Sequence, residues 1–576
     1  MGDPIRTSEE TIYQNFTLEN VKFGSIFEFS ALFRAFRMAI QPACMVTALL
    51  AILVIYCAGR TFDVLWSYQV MPGEISAFDS PIPGYYDDLL RQDRISRTQA
   101  IMDLLQSVEP QLSLAQTDAL AENPGAAYAA IRAVYERQFL HAVHAARQAG
   151  ASSAMVNKSR RQATFKLLNQ MRRLKAMVGR GVFSALMRYE IREFHLLVNN
   201  TAAMLRLAPM QAANGESDQA VVQVGTGILP TGRHGLWENN SITGCLANMS
   251  ITGPMWLITG APPLRAVGAV HGAGLLFRRL FYILSVLVLV IIGMLASAFA
   301  GAMICRQTAL EFSGKRPTFS ANIAFTVSHL GSFIKAPLLP FITILGTGLA
   351  LTILSFIGAI PFLGEIFIGA IFIVFLILGF IIMLMALGII GGFNLIYPTL
   401  AVEGSDSFDA ISRSFSYVYA RPWRMLFYTL LMLVYGATTY LFLSFAMYVL
   451  LTGVHVFVGW GMTLFGVLHG WNTGGGKLDA MWQPPRFGEL IAPINWWAMN
   501  WSEYLGAMFL YFWLFLAVTL LGAYVMSYYF ASNTILYLLL RRSVDGQGLN
   551  EIFPDESEGI AGAPEGSSAK PLIQRQ

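Results

Sequence analysis

His141 and His144 stand three residues apart, with Glu136 shortly before them. On a helix that spacing could put two imidazoles on one metal ion. No third ligand recurs at helical spacing, so the expectation is a pair of exposed histidines, with no metal and no cofactor. Glu190 and Glu193 precede His195. A di-iron site would need Glu-x-x-His with the histidine at 193, so this spacing fails as well. Ionisable groups inside apolar stretches would be a sharper sign, because ion-coupled transport needs charge near the bilayer middle, where charge is costly. The apolar stretches hold essentially none: Lys335, Glu365 and Arg424 fall at their ends. The notable polar group is Asn394, close after Gly391 and Gly392. A helix broken there could turn backbone carbonyls toward a cation, although glycines in such a stretch also serve close helix packing.

The frame for these residues is lipid. Of 576 residues, 55% are apolar and 13% charged, and mean hydropathy is +0.52, which excludes a soluble multidomain protein. The net charge of +4 comes with 39 scattered Lys and Arg. No basic stripe forms, so nucleic acid is excluded as a partner. A crossing helix needs about 20 mostly apolar residues, and that rule selects spans near 40–59, 279–305, 337–360, 366–391, 425–452 and 504–530. The first span lies behind an acidic leader and reads as an uncleaved signal anchor. Cys57 ends it with Tyr56 where lipid attachment needs a small residue, so lipidation is not expected. The four cysteines write no disulfide framework. Basic residues flank one side of a six-span arrangement: Arg34, Arg37, Arg306, Lys315, Arg316, Lys335, Arg413, Arg421, Arg424, Arg541 and Arg542. By the positive-inside rule both termini are cytoplasmic, in a bacterial inner membrane. Val454 to Leu468 is apolar but short and glycine-containing, and is expected as an interfacial or re-entrant segment.

The expected fold class is an all-α integral membrane protein with about six transmembrane helices. A leader occupies 1–39, the first span 40–59, a mostly helical extracytoplasmic insert 60–275, a polytopic domain 276–542, and a disordered cytoplasmic tail 543–576. In the insert, Ile131, Val134, Phe139, Val143 and Ala146 mark one helical stripe, and Phe183, Leu186, Ile191, Phe194 and Leu197 another. Residues 211–250, rich in Gly, Asn, Ser and Thr without periodicity, are expected as loop.

A pattern precedes three of the spans: an amphipathic helix, a Pro or basic-aromatic break, then a crossing. In the last copy Asp406 can cap a helix, Phe408, Ile411, Phe415 and Val418 mark its apolar face, and Asp409 pairs with Arg413 four residues on. Arg421, Trp423 and Arg424 suit a headgroup layer, with Pro422 starting the turn into the membrane. The middle copy has Phe319, Ile323, Val327, Leu330 and Ile334 on its face, followed by Lys335 and Pro337. The first has Ile26, Phe29, Phe33, Phe36 and Ile40, followed by Pro42. Such helices are expected to lie in the interface, as a parallel repeat entering from one side.

The stretch Asn394-Leu-Ile-Tyr-Pro-Thr-Leu-Ala-Val-Glu-Gly-Ser-Asp-Ser-Phe, its Arg421-Pro-Trp-Arg424 ending, and Ser532-Asn-Thr-Ile-Leu-Tyr-Leu-Leu-Leu-Arg-Arg-Ser-Val-Asp-Gly resemble uncharacterised bacterial polytopic proteins. These are related to the membrane domain fused to some glycerophosphodiester phosphodiesterases. The resemblance covers about the last 300 residues and implies the polytopic fold, with no assigned chemistry. His234-Gly-Leu-Trp-Glu238-Asn239 echoes the His and Glu-Asn that such a resemblance would suggest, but the spacing is wrong, and a barrel hydrolase needs alternating strands and helices. The functional expectation is a non-enzymatic membrane scaffold or assembly partner, binding lipid and an extracytoplasmic or membrane protein. The alternative is a passive pore or a transporter of an uncharged or lipidic substrate.

Overall fold

The computed structural model describes residues 28–66, 180–205, 241–261, 273–315, 318–468, 477–488 and 501–549, with scattered residues in 68–150, at 490–491 and at 552. Among them the chain is helical, with one isolated bridge between Val70 and Arg180 and no strand. A 3-10 turn, Glu28–Phe33, leads into α1 (Arg34–Ala39) and α2 (Pro42–Leu65). Next come α3 (Val182–Met204) and α4, a continuous helical run over 242–260 that contains two π-helical stretches, Asn248–Thr252 and Trp256–Gly260. The polytopic part holds α5 (Ala273–Phe312), α6 (Phe319–Ser355), α7 (Leu363–Gly392), α8 (Ile396–Glu403), α9 (Ser407–Ala420) and α10 (Pro422–Leu468). The short α11 (Lys477–Met481) and the long α12 (Trp501–Asp545) complete the order.

Among the described residues six helices are long and apolar enough to cross a membrane: Pro42–Leu65, Leu276–Phe312, Phe319–Ala359, Leu363–Glu403, Pro422–Phe465 and Trp501–Asp545. Every span expected from hydropathy is therefore a helix, and the chain is a multi-pass membrane protein. Local rules set several boundaries. Pro42 occupies the first turn of α2, where its missing N–H costs nothing. Asp406 accepts the Asp409 N–H at 2.9 Å and caps α9, and Gly404 closes α8 at φ 62°.

The bundle is packed at the end that carries Arg306 and Arg541. Small residues, Ala298, Ala300, Ala302 and Ala309, let α5 meet its neighbours closely. A Cβ on Gly301 would stand 2.6 Å from the Tyr397 ring and 2.8 Å from the Phe530 ring. Toward the other end α6 and α7 touch little besides each other. There Leu345, Leu349, Ile366, Ile373 and Ile377 are exposed, as lipid-facing side chains must be.

Several expectations need correction. Val454 to Leu468 is no separate segment: α10 continues unbroken to Leu468, since nothing in that stretch interrupts backbone hydrogen bonding. The middle arm has no break either, because α6 runs through Pro337 and Pro340. Leu330 and Ile334 of the expected face pack on the core, but the most buried residues of α6 are Asn322, Phe325, Thr326, Phe333 and Ala336, and Phe319 and Val327 are exposed. In the first arm Leu32, Ala35, Met38 and Ala39 face the core, while Phe33 and Ile40 are exposed; Ile26 lies outside the described residues. Phe29 and Phe36 of the expected face do pack on the core, Phe36 edge-on against Tyr524 of α12 at 6.0 Å, but the most buried face is offset from them. Thus Ser527 reaches the Ala39 carbonyl at 2.7 Å, and Phe33 meets Tyr435 edge-on at the margin. The stretch 241–250, expected as loop, is helical from a Ser241 cap that accepts the Gly244 N–H at 3.0 Å. The tail does not leave the bundle at 543: Leu549 packs on the core and Ile552 is buried.

Candidate functional site: a polar hairpin against the spans

Within the insert, α3 lies along α2 and α10. Its start is fixed by α2. Asp63 accepts the backbone N–H groups of Phe183 at 2.7 Å and Ser184 at 3.1 Å, placing a carboxylate at the positive end of the helix. Gly59 leaves room for the Phe183 ring, which a Cβ would approach to 2.1 Å. Further along, Phe194 meets Tyr440 edge-on at 5.0 Å and His195 Nε2 lies 3.3 Å from the Tyr440 hydroxyl. Leu433 of α10 packs against the cluster of Leu196, Leu197, Ile242 and Cys245 near the end of the helix, as does Met204. So α3 runs antiparallel to both spans.

Neighbour contacts give the level it reaches. Ile52, near the middle of α2, faces Gly522, and Tyr524 donates to Thr439 at 2.6 Å. Tyr440 therefore stands level with the middle of α2, and the Glu190–His195 turn of α3 sits beside it. A helix of 23 residues is about 35 Å long, enough to reach from the Asp63 end of α2 to well past its middle. The return run α4 packs on α3 and closes against the spans where Tyr282 donates to the Leu257 carbonyl at 3.1 Å.

Between the two helices lies a buried polar cluster. Glu193 has no exposed surface. Arg192 Nη2 is 3.0 Å from its Oε1, and Asn248 Nδ2 donates to its Oε2 at 3.4 Å. Thr252 and Asn248 extend the chain at 3.5 Å, and Asn200 Nδ2 approaches the Cys245 thiol at 3.4 Å. Glu190 lies over Gly253, where a Cβ would come within 2.1 Å of its Oε1. The π-helical stretches begin at Asn248 and close behind the cluster at Trp256, and such stretches frequently accompany functional sites. Two carboxyl groups, a guanidinium, two amides and a nearby imidazole can together hold, pass on or exchange a proton or a small cation. Of the described histidines considered for metal, His141 and His144 are both exposed; Glu136 and His234 to Asn239 lie outside the described residues, as do Ile131, Phe139, Val143 and Ala146.

The residues expected at the arm form a second polar centre. Arg413 donates to both Asp409 oxygens at 3.1 and 3.0 Å and lies 3.5 Å from Glu403. Glu403 also takes Arg541 at 2.7 Å and the Tyr537 hydroxyl at 2.9 Å, while Tyr417 donates to Asp545. The bond to Asp409, with the charges of Asp409 and Glu403, holds the Arg413 proton more tightly than usual against partial burial. This network locks α9 onto α8 and α12. On α9, Ile411 and Phe415 are buried as expected, but Phe408 is exposed. Arg421, Pro422, Trp423 and Arg424 are all exposed at the turn into α10. Gly391 and Gly392 pack under Val418 and Phe415, with Cβ positions 2.6 and 2.8 Å from them. A 3-10 turn, Phe393–Leu395, breaks the helix there, and Asn394 Oδ1 accepts the Tyr529 hydroxyl at 2.6 Å. The glycines thus seat the arm.

Sequence reasoning passed over Arg192, Asn248 and Glu403; it weighed Glu193 only as a di-iron ligand and counted Arg541 only as a flanking charge. The signal for Glu193 was present, since charges sit within a helical apolar stripe at 183–197, but the hydrophilic composition of the insert placed that stripe in water. No protein-family model matches the chain, and no curated protein or solved structure matches it.

Proposed function

We propose that this chain is a transporter of the bacterial cytoplasmic membrane that moves a proton, alone or with a small solute, past the α3–α4 hairpin. Glu193 carries the reading: it is wholly buried, ion-paired, and level with the middle of the spans. Desolvating such a charge costs several kcal/mol, and a well-packed apolar pair is often as stable or more so. Stability alone therefore does not account for it, and ionisable groups at that level mark proton and ion paths. The sequence argument against coupled transport rested on spans without charge; the charge comes instead from a helix leaning on them. The scaffold reading keeps one observation of its own, the exposed Arg421-Pro422-Trp423-Arg424 corner, which suits a headgroup layer or a partner protein. Cytoplasmic termini and kinship with the phosphodiesterase-associated membrane domains belong to the same proposal, supported by the basic flanks and the quoted motifs.

The test is proton flux into liposomes containing purified protein and a trapped pH dye, driven by a potassium diffusion potential. Wild-type protein should exceed empty vesicles at least tenfold. Glu193→Gln, which keeps the size and the Asn248 contact, should fall to within twofold of empty vesicles while remaining monodisperse. Wild-type flux equal to that of empty vesicles, or full flux in Glu193→Gln, returns the protein to the scaffold reading.

A further inference from the structure

The chain between α10 and α12 does not stay clear of the bundle. α11 sits against both helices, and a Cβ on Gly506 of α12 would stand 3.3 Å from the Met481 sulfur. Residues 482–488 follow α11 without helical form. There Phe487 meets the Phe445 ring edge-on at 6.3 Å and the Tyr448 ring at 5.8 Å, and Leu490 and Ile491 pack on the cluster of Leu451 and Leu514. Tyr440 stands level with the middle of α2, and Phe445 and Tyr448 follow it by five and eight residues, about 8 and 12 Å along the helix. Half the hydrocarbon core is about 15 Å. The segment therefore dips into the half of the membrane away from Arg424, as a re-entrant strap. Non-helical backbone survives at that depth only where protein covers it or water reaches it. Pro484 and Pro485 present no N–H to satisfy, and Gly488, at φ 91°, makes the turn.

One side chain of α10 fastens the strap. His455 is 9% exposed, and its Nε2 lies 3.1 Å from the Trp482 carbonyl oxygen and 3.3 Å from Asp479 Oδ1. A carbonyl and a carboxylate only accept, so Nε2 carries the hydrogen. The Trp482 ring meets the imidazole edge-on at 5.0 Å. Tyr440, Ser444, Leu451 and His455 follow one another at four, seven and four residues, which puts them on one face of α10. The strap thus lies directly outward of Tyr440, whose hydroxyl is 3.3 Å from His195 Nε2. Ser444, one turn above Tyr440, is 3% exposed. The closed position leaves the Trp482 indole N–H buried with no acceptor among the described residues, a donor that would meet water if the strap lifted.

We propose that residues 477–488 form a strap that closes this face of α10 to water from the outer side, with His455 as its latch. On the transport reading, on which this role rests, the strap is the outer gate of the path past Glu193. Its position and its latch stand apart from that reading.

Access to position 444 reads the strap without any flux. In a Cys57→Ser background, Ser444→Cys in right-side-out vesicles should react slowly with a charged, membrane-impermeant methanethiosulfonate added outside. Adding His455→Ala should speed that reaction at least tenfold. His455→Gln, whose amide can still donate to the Trp482 carbonyl, should stay within threefold of the parent. Phe487→Ala frees the deep end of the strap and should act in the same direction as His455→Ala, which it replaces if that variant does not fold. Equal rates in parent and released variants, or an equal rise with reagent on the inner side, overturns the gate. Proton flux in the same vesicles keeps the two readings apart. No flux with latch-dependent labelling sinks transport at Glu193 and leaves the strap, whereas normal flux with latch-independent labelling sinks the strap alone.

Discussion

Arg192→Leu should destabilise the protein more than any change at Glu193, by about 3 kcal/mol, measured as the shift in denaturant-induced unfolding in mild detergent. The asymmetry follows from exposure. The Glu193 side chain has no exposed surface, whereas that of Arg192 is 37% exposed. Removing the arginine leaves a carboxylate sealed between α3 and α4 with its cationic neighbour gone. Removing the carboxylate leaves a guanidinium that can turn outward. Glu193→Gln should accordingly cost only about 1 kcal/mol, since the amide still accepts from Asn248. The double change Arg192→Leu with Glu193→Leu should recover most of the single loss, because an apolar pair has no desolvation penalty. A loss under 1 kcal/mol for Arg192→Leu would place the pair in water.

The second large effect belongs to Arg541. Its side chain is 2% exposed, it meets Glu403 at 2.7 Å, and its other nitrogen donates to the Gly548 carbonyl at 3.1 Å. Arg541→Leu should cost about 2–3 kcal/mol, since Glu403, 16% exposed, keeps Tyr537 but loses its main counter-charge. It should also free residues 546–552 to proteolysis. Arg413→Leu provides the contrast. That side chain is 39% exposed and its Asp409 partner 42%, so solvent screens the pair and the expected loss is under about 1 kcal/mol. Equal losses at 413 and 541 would mean that the network acts as one unit rather than through its buried member.

The spans were legible because a run of about 20 apolar side chains has few alternatives to a membrane helix. The Asp406 cap and the Asp409–Arg413 pair were legible because both are local, acting over three and four residues. What hydropathy could not show was which face of each arm is buried. Leu32 and Ala35 face inward and Phe33 outward because of where α12 lies, a tertiary fact. Arg541 was counted as a flanking basic residue and is also a buried ion-pair member, since charge counting cannot see Glu403 from 138 positions away. The α3 helix was legible from its stripe at Phe183, Leu186, Ile191, Phe194 and Leu197, but its packing partner was not. It carries Arg188, Glu190, Arg192, Glu193 and His195, a composition that hydropathy assigns to water. Contacts with Gly59, Tyr440 and Leu433 bring it beside the spans, and those contacts are all long-range.

Whether α3 lies in the membrane is tested most directly by thiol labelling. Ile191 is 50% exposed and neighbours Glu190 and Arg192. A cysteine placed there, with Cys57 changed to serine, should resist a charged, membrane-impermeant maleimide added to either face of intact membranes. A thiol in lipid neither ionises readily nor meets the reagent. After detergent denaturation the same cysteine should label fully. Prompt labelling from the outer face of intact membranes would contradict the account, setting the hairpin in water and Glu193 in an ordinary soluble domain.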